Sequence, residues 1–186
     1  MAARPRPLSV TEAATTPLAP FVVVRVPAPG DNLPVHALGL DAFETGVLAL
    51  MRHLCASFGD PDGHAWRRAL AIASERWQPG EGCRIVLDLL TVLDALAAVR
   101  RQSFRTMDPL SMTCRVLATP DEAALMRLLG AMRRDHTAAA RIEVGRLAQG
   151  RMEPDLIAAA LSFAARHRDD LVAIGRDTLP PVRTLH

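Results

Sequence analysis

Three sets of side chains in this sequence have chemistry to offer: a cysteine ahead of a helix, a line of acids on an apolar helix, and a run of arginines. Cys114 lies in "SMTCRVLATPDEAALMRLL", Ser111 to Leu129. No histidine or acid stands close in sequence to activate its thiol as a nucleophile. A free cysteine ordinarily packs as a small hydrophobe. The residues after it are explained by helix-start chemistry: Thr119 is the N-cap, Pro120 the first helical residue, and Glu122 completes a capping box. Cys114 is therefore read as packing or loop material.

Asp88, Thr91 and Asp94 recur every three residues on a helix that is otherwise apolar from Ile85 to Val99. Such a line either faces solvent, with Arg84 pairing with Asp88 one turn away, or faces an internal pocket. His136 falls on the apolar seam of the following helical stretch, where an imidazole can serve as a ligand-binding or pH-sensitive group. Asp88, Thr91, Asp94 and His136 are the pocket candidates.

Residues 100–151 hold ten arginines against five acids. Arg127, Arg134 and Arg141 repeat every seven residues and would stack on one face of a continuous helix. With Arg100, Arg101 and Arg105 they are the candidates for gripping an anion or nucleic acid. A helix-turn-helix is poorly matched: Arg141 and Arg146 stand where a small residue should precede the turn glycine, and Glu153 and Asp155 would lead the recognition helix. The competing reading is a solvated arginine-rich face.

Other chemistries lack their patterns. The histidines at 36, 53, 64, 136, 167 and 186 include no pair four apart, so no helix-borne metal pair is expected. There is no G-x-S-x-G, P-loop or dinucleotide fingerprint. No catalytic residue, metal or cofactor is assigned. Cys55, Cys83 and Cys114 are odd in number and never in C-x-x-C spacing, which speaks against a disulfide framework and for a reducing cytoplasm. No targeting segment or membrane span is expected; the run "FVVVRV" is short and carries Arg25.

The elements that must position these groups follow from periodicity. The chain has 186 residues, 49% hydrophobic and 23% charged, which suits one globular domain. Lysine and tyrosine are absent and all 22 basic residues are arginine, a bias that points to a GC-rich bacterial genome. Residues 1–20, rich in Ala, Pro and Thr, are expected to be mobile. Phe21 to Val26 reads as a strand, and Val35 to Leu38 as its possible hairpin return. From Asp41 the pattern is helical. "DAFE" caps the first helix, "DPDG" and "QPGEG" break the next two apart, and the third, about Gly82 to Gln102, is the most apolar and should be central. The stripe from Leu125 to Leu147 is one long helix or two that break near Asp135, and Pro154 opens the last.

The expectation is an all-α bundle of about five main helices over residues 21–176, with a short β segment or hairpin at 21–38 and a tail at 177–186. Its expected role is a non-enzymatic cytoplasmic regulatory or protein-interaction domain. The alternatives are a nucleic-acid-binding regulator and a small-ligand-binding bundle. A homodimer is the expected assembly, because the strand leaves an edge that wants a partner.

Overall fold

The computed structural model describes residues 19–28, 30 and 32–168. The expected mobile segment before residue 19 and the tail 177–186 fall outside them. Among the described residues the fold is mostly helical, with seven helices and two very small sheets.

The first helix, α1 (Ala42–Gly59), begins where its local chemistry says it should. The Asp41 carboxylate accepts the Glu44 N–H at 2.6 Å, and the Glu44 side chain accepts the Asp41 N–H at 3.0 Å. This reciprocal box satisfies two donors that a helix start leaves orphaned. A 3-10 turn at Pro61–Gly63 leads into α2 (Ala65–Trp77). "QPGEG" breaks the chain only at Gln78, which takes a φ of 66°. Pro79 then opens α3 (Pro79–Val99), because a proline at the first helical position loses no hydrogen bond. α3 thus starts three residues before the expected Gly82 and stops short of Gln102. Gly82 is needed for packing: a Cβ there would stand 2.4 Å from the Ala73 carbonyl oxygen of α2.

After α3 come β3 (Phe104–Met107), the one-turn α4 (Met112–Arg115) and β4 (Leu117–Ala118). α5 (Pro120–Arg133) starts with the predicted Thr119–Glu122 box. The long stripe breaks in two, with Asp135 at a φ of 56°, a conformation that Asp tolerates better than most side chains. α6 (Thr137–Leu147) then packs back against α5, and α7 (Pro154–Arg166) covers α3 and α5.

The hairpin is a correction. Val35–Leu38 forms a 3-10 turn. β1 (Phe21–Val24) pairs in parallel with β3, and β2 (Leu33–Pro34) pairs antiparallel with β4. A lone hairpin buries too little to hold itself. Pairing with β3 instead sets Phe21 against Phe104 and Phe58, at ring-centroid distances of 5.8 and 4.9 Å.

The core runs through Leu50, Met51 and Leu54 of α1, Ile85, Leu89 and Leu93 of α3, and Leu125 and Leu128 of α5. α3 is central as expected, but α5 is the more enclosed: eleven of its fourteen residues are buried. α3 keeps one face open, with Leu87 at 64% exposure.

Candidate functional site

The two edges of the β1–β3 ladder are treated differently. In the parallel register, Phe21 lies opposite Phe104 and Val23 opposite Thr106. The Phe104 N–H donates to the Pro20 carbonyl and the Asp108 N–H to the Val24 carbonyl. This phase turns the backbone groups of residues 20, 22 and 24 toward β3 and those of Phe21 and Val23 away from it.

The far edge of β3 is filled by the start of α5. Asp121 accepts the Arg105 N–H at 2.8 Å and Glu122 accepts the Met107 N–H at 3.0 Å. The Thr119 hydroxyl donates to the Arg105 carbonyl at 2.7 Å. The far edge of β1 is treated otherwise: among the described residues, Phe21 and Val23 make no backbone hydrogen bond outside the ladder, Phe21 is buried with Gly59 of α1 close to its carbonyl oxygen, and Val23 is half-buried. Alternate residues Phe21, Val23 and Arg25 line a cleft of about 450 Å³, whose other walls come from α1, the start of α2 and the loop after β3.

His53 on α1 lines this cleft and an adjoining one of about 370 Å³ under Arg115. It is 6% exposed, and its Nδ1 has no hydrogen-bond partner. An unpaired lone pair is cheaper to bury than an unpaired N–H, so the neutral tautomer with the proton on Nε2 is favoured. Burial holds its pKa below the usual histidine value; the positive charge of Arg68 adds to this, Asp108 opposes it and Arg115 reinforces it.

Arg25 and Arg68 are exposed in the cleft, and among the described residues neither is in a salt bridge. The two cleft acids are tied into their own turns. Asp60 accepts the Gly63 N–H at 3.1 Å and Asp108 accepts the Leu110 N–H at 2.8 Å. The site therefore joins the outer edge of β1 at Val23, an apolar wall at Phe21 and Val23, and a mixed set of charges, Arg25 and Arg68 with Asp60 and Asp108.

The predicted arginines do not gather on one patch. Arg100 donates to Asp121 at 3.0 Å and to the Leu147 carbonyl at 3.1 Å. Arg134 grips Glu44 at 2.7 Å and Asp41 at 3.2 Å. Arg101, Arg105, Arg127 and Arg141 are exposed. The seven-residue stacking is lost because the chain breaks at Asp135 and puts Arg141 on α6. Arg127, Arg134 and His136 do border one shallow depression of about 240 Å³, together with Glu44 and Glu143.

The acid line also separates. Asp88 is buried and held by Arg166 and by the His167 Nε2 at 3.0 Å, rather than by Arg84. Thr91 is exposed and donates to the Leu87 carbonyl at 3.1 Å, and Asp94 is exposed. A helix turns about 100° per residue, so positions six apart drift off a common face. His136 is exposed at the start of α6 and borders an apolar groove of about 370 Å³ with Met132, Val144, Ile157 and Leu161. Cys114 is buried, its sulfur 3.4 Å from the Arg25 carbonyl oxygen and 3.6 Å from that of Val24. It buttresses β1.

Sequence reasoning passed over His53 and Arg52, both buried. Their signal was a polar pair interrupting "VLALMRHLCASF", the most apolar part of α1. Among the described residues, no group of three or more His, Cys, Asp or Glu is placed to hold a metal, and no helix is long and apolar enough to cross a membrane. Comparison with protein-family models, curated proteins and solved structures finds no match to this chain, so its site is read from its own chemistry.

Proposed function

We propose that this chain is a non-enzymatic regulatory or protein-interaction domain that receives an extended segment of a partner as a third strand beside β1. The observation carrying the reading is the difference between the two ladder edges. An uncovered edge is a template for strand addition, and soluble proteins ordinarily cover or charge such edges. Here three side chains cap β3, while half-buried Val23 of β1 makes no backbone hydrogen bond beyond the ladder among the described residues and lines a cleft of about 450 Å³. The lysine-free composition and unpaired cysteines go with a GC-rich bacterial origin and a cytoplasmic setting.

A second copy contributing its own β1 is the alternative occupant, which keeps the homodimer as a second reading. The nucleic-acid reading draws less support, since Arg100 and Arg134 already face carboxylates. The small-ligand reading draws less from the Asp88 line, since Asp88 is engaged by Arg166 and His167.

Val23→Pro tests the proposal. It deletes an N–H that points away from β3, so the β1–β3 ladder keeps its bonds, whereas Val22→Pro removes a ladder donor. A displayed library of random dodecapeptides is selected on the wild-type chain. Enriched peptides should bind the wild type, fail on Val23→Pro, and slow amide exchange at Val23. Equal binding to both proteins would overturn the reading.

A further inference from the structure

We propose that the cleft under Arg115 is a binding site for a small uncharged molecule with an apolar body and a hydroxyl, a phenol or an alcohol, whose hydroxyl donates to Nδ1 of His53. The site is separate from the edge of β1 and does not rest on the strand-addition reading.

Among the described residues, only two buried side-chain polar atoms lack a hydrogen-bond partner, Nδ1 of His53 and Oε2 of Glu143. Glu143 has its other oxygen on Arg146 at 2.7 Å. A buried imidazole ordinarily bonds a backbone carbonyl or another polar group, and leaving its acceptor unpaired costs stability. In this fold the unpaired acceptor stands beside open space. His53 and Pro109 line both the cleft beside β1 and the one of about 370 Å³ under Arg115.

That second cleft has the walls and the volume for a ligand. Val35, Leu48, Ala49, Ile72 and Pro109 supply apolar lining, and the volume falls in the range of small-molecule sites, roughly 300–1,000 Å³. Its other polar groups are engaged already. The Thr45 hydroxyl donates to the Asp41 carbonyl at 2.8 Å, and Arg52 is committed to Glu122 and to the carbonyls of Arg115 and Leu117. What the cleft lacks is a donor for Nδ1.

The surroundings choose the occupant. Nδ1 is shut off from bulk water, so its donor has to arrive on a body that the apolar walls hold. An anion brings no donor. A cation would meet Arg52 and Arg115, with no acid in the lining to offset them. Burial and the charge of Arg68, opposed by Asp108 and reinforced by Arg115, hold the imidazole below its ordinary pKa of 6.5 and keep its acceptor available at neutral pH. A neutral hydroxyl remains: it donates to Nδ1 while its ring or chain fills the space between the walls.

The test titrates the full isotope-labelled chain at neutral pH, followed by NMR, with probes that share a benzene ring: phenol, toluene, benzoate and benzylammonium. Phenol should bind saturably, move the Nδ1 signal of His53 and the amide signals of Ala49 and Ile72, and bind about tenfold more tightly than benzoate or benzylammonium. Toluene measures the walls without the hydroxyl. His53→Phe keeps the bulk and removes the acceptor, so the phenol-to-toluene affinity ratio should fall about tenfold. Ala49→Leu narrows the cleft and should weaken phenol and toluene alike. Absence of saturable phenol binding, tighter binding of benzoate or benzylammonium, or an unchanged phenol-to-toluene ratio in His53→Phe would each overturn the site. Should His53→Phe fail to fold, undiminished phenol affinity in Ala49→Leu overturns it instead. Shifts centred on Phe21 and Val23 would put phenol in the cleft beside β1 and overturn it as well.

Discussion

Arg52 and Glu122, seventy residues apart in the chain, form a two-point ion pair with Nε to Oε1 at 2.8 Å and Nη2 to Oε2 at 2.9 Å. Glu122 is fully buried. Its two oxygens also accept from the Thr106 hydroxyl and from the N–H groups of Met107 and Thr119, while Arg52 donates to the carbonyls of Arg115 and Leu117. One pair thereby ties α1 to α5 and closes the covered edge of β3. Glu122→Ala would leave the guanidinium buried without its counter-charge, which costs about 3–5 kcal/mol. Urea unfolding measures it. A loss of about 1 kcal/mol or less would mean that water screens the pair as it does on a surface.

Truncation and overpacking of α3 should both be felt. Leu89 and Leu93 are fully buried, and replacing either by alanine should lower stability by about 2–5 kcal/mol. Gly82→Ala should also destabilise, by about 1–3 kcal/mol, although alanine is the better helix former, because the new Cβ meets backbone of α2 that cannot swing away. Urea midpoints for Gly82→Ala at or above wild type would mean that α2 and α3 sit further apart.

His53 and Asp41 should give the domain two separate pH dependences. His53 has a folded pKa below its ordinary 6.5, with burial the main cause. The unfolded chain therefore takes a proton that the folded chain refuses, and stability contributed by neutral His53 is complete above about 6.5 and falls as pH drops below it. His53→Gln should flatten that part of the stability–pH curve. Burial of Asp41 opposes ionisation, but the Glu44 N–H, Arg133 and Arg134 outweigh it and hold its pKa below 3.8. Its contribution is complete above about 3.8 and is lost as pH falls further. An acid transition unchanged by Asp41→Asn would count against that cluster.

The three thiols should react at different rates. Cys83 is exposed, whereas Cys55 and Cys114 are buried. Burial pushes the Cys55 thiol well above its usual pKa of 9.0, and the charge of Glu122 adds to this. A thiol-reactive probe at neutral pH should modify Cys83 first and reach the other two only through unfolding. Cys114 labelling as fast as Cys83 would mean that it does not stay packed behind β1.

What the sequence determined by itself was local. The Asp41–Glu44 and Thr119–Glu122 boxes each act over three residues, and the apolar stripes repeat within a few turns, so the helix starts and the mostly helical class were legible from spacing alone. The same spacing allowed either one helix or two around Asp135, because the choice depends on whether α6 can pack back on α5. Glu122 was readable as a capping residue but not as the partner of Arg52. His53 was visible as a polar residue in an apolar run but not as the wall of a cleft. Only tertiary structure decided that β1 pairs with β3 rather than with Val35–Leu38, that α5 covers one edge of the ladder, and that Arg25 and Arg68 line one cleft with Asp60 and Asp108. Those relations join segments tens of residues apart. They are set by which surfaces can be buried together, and no short-range pattern records that.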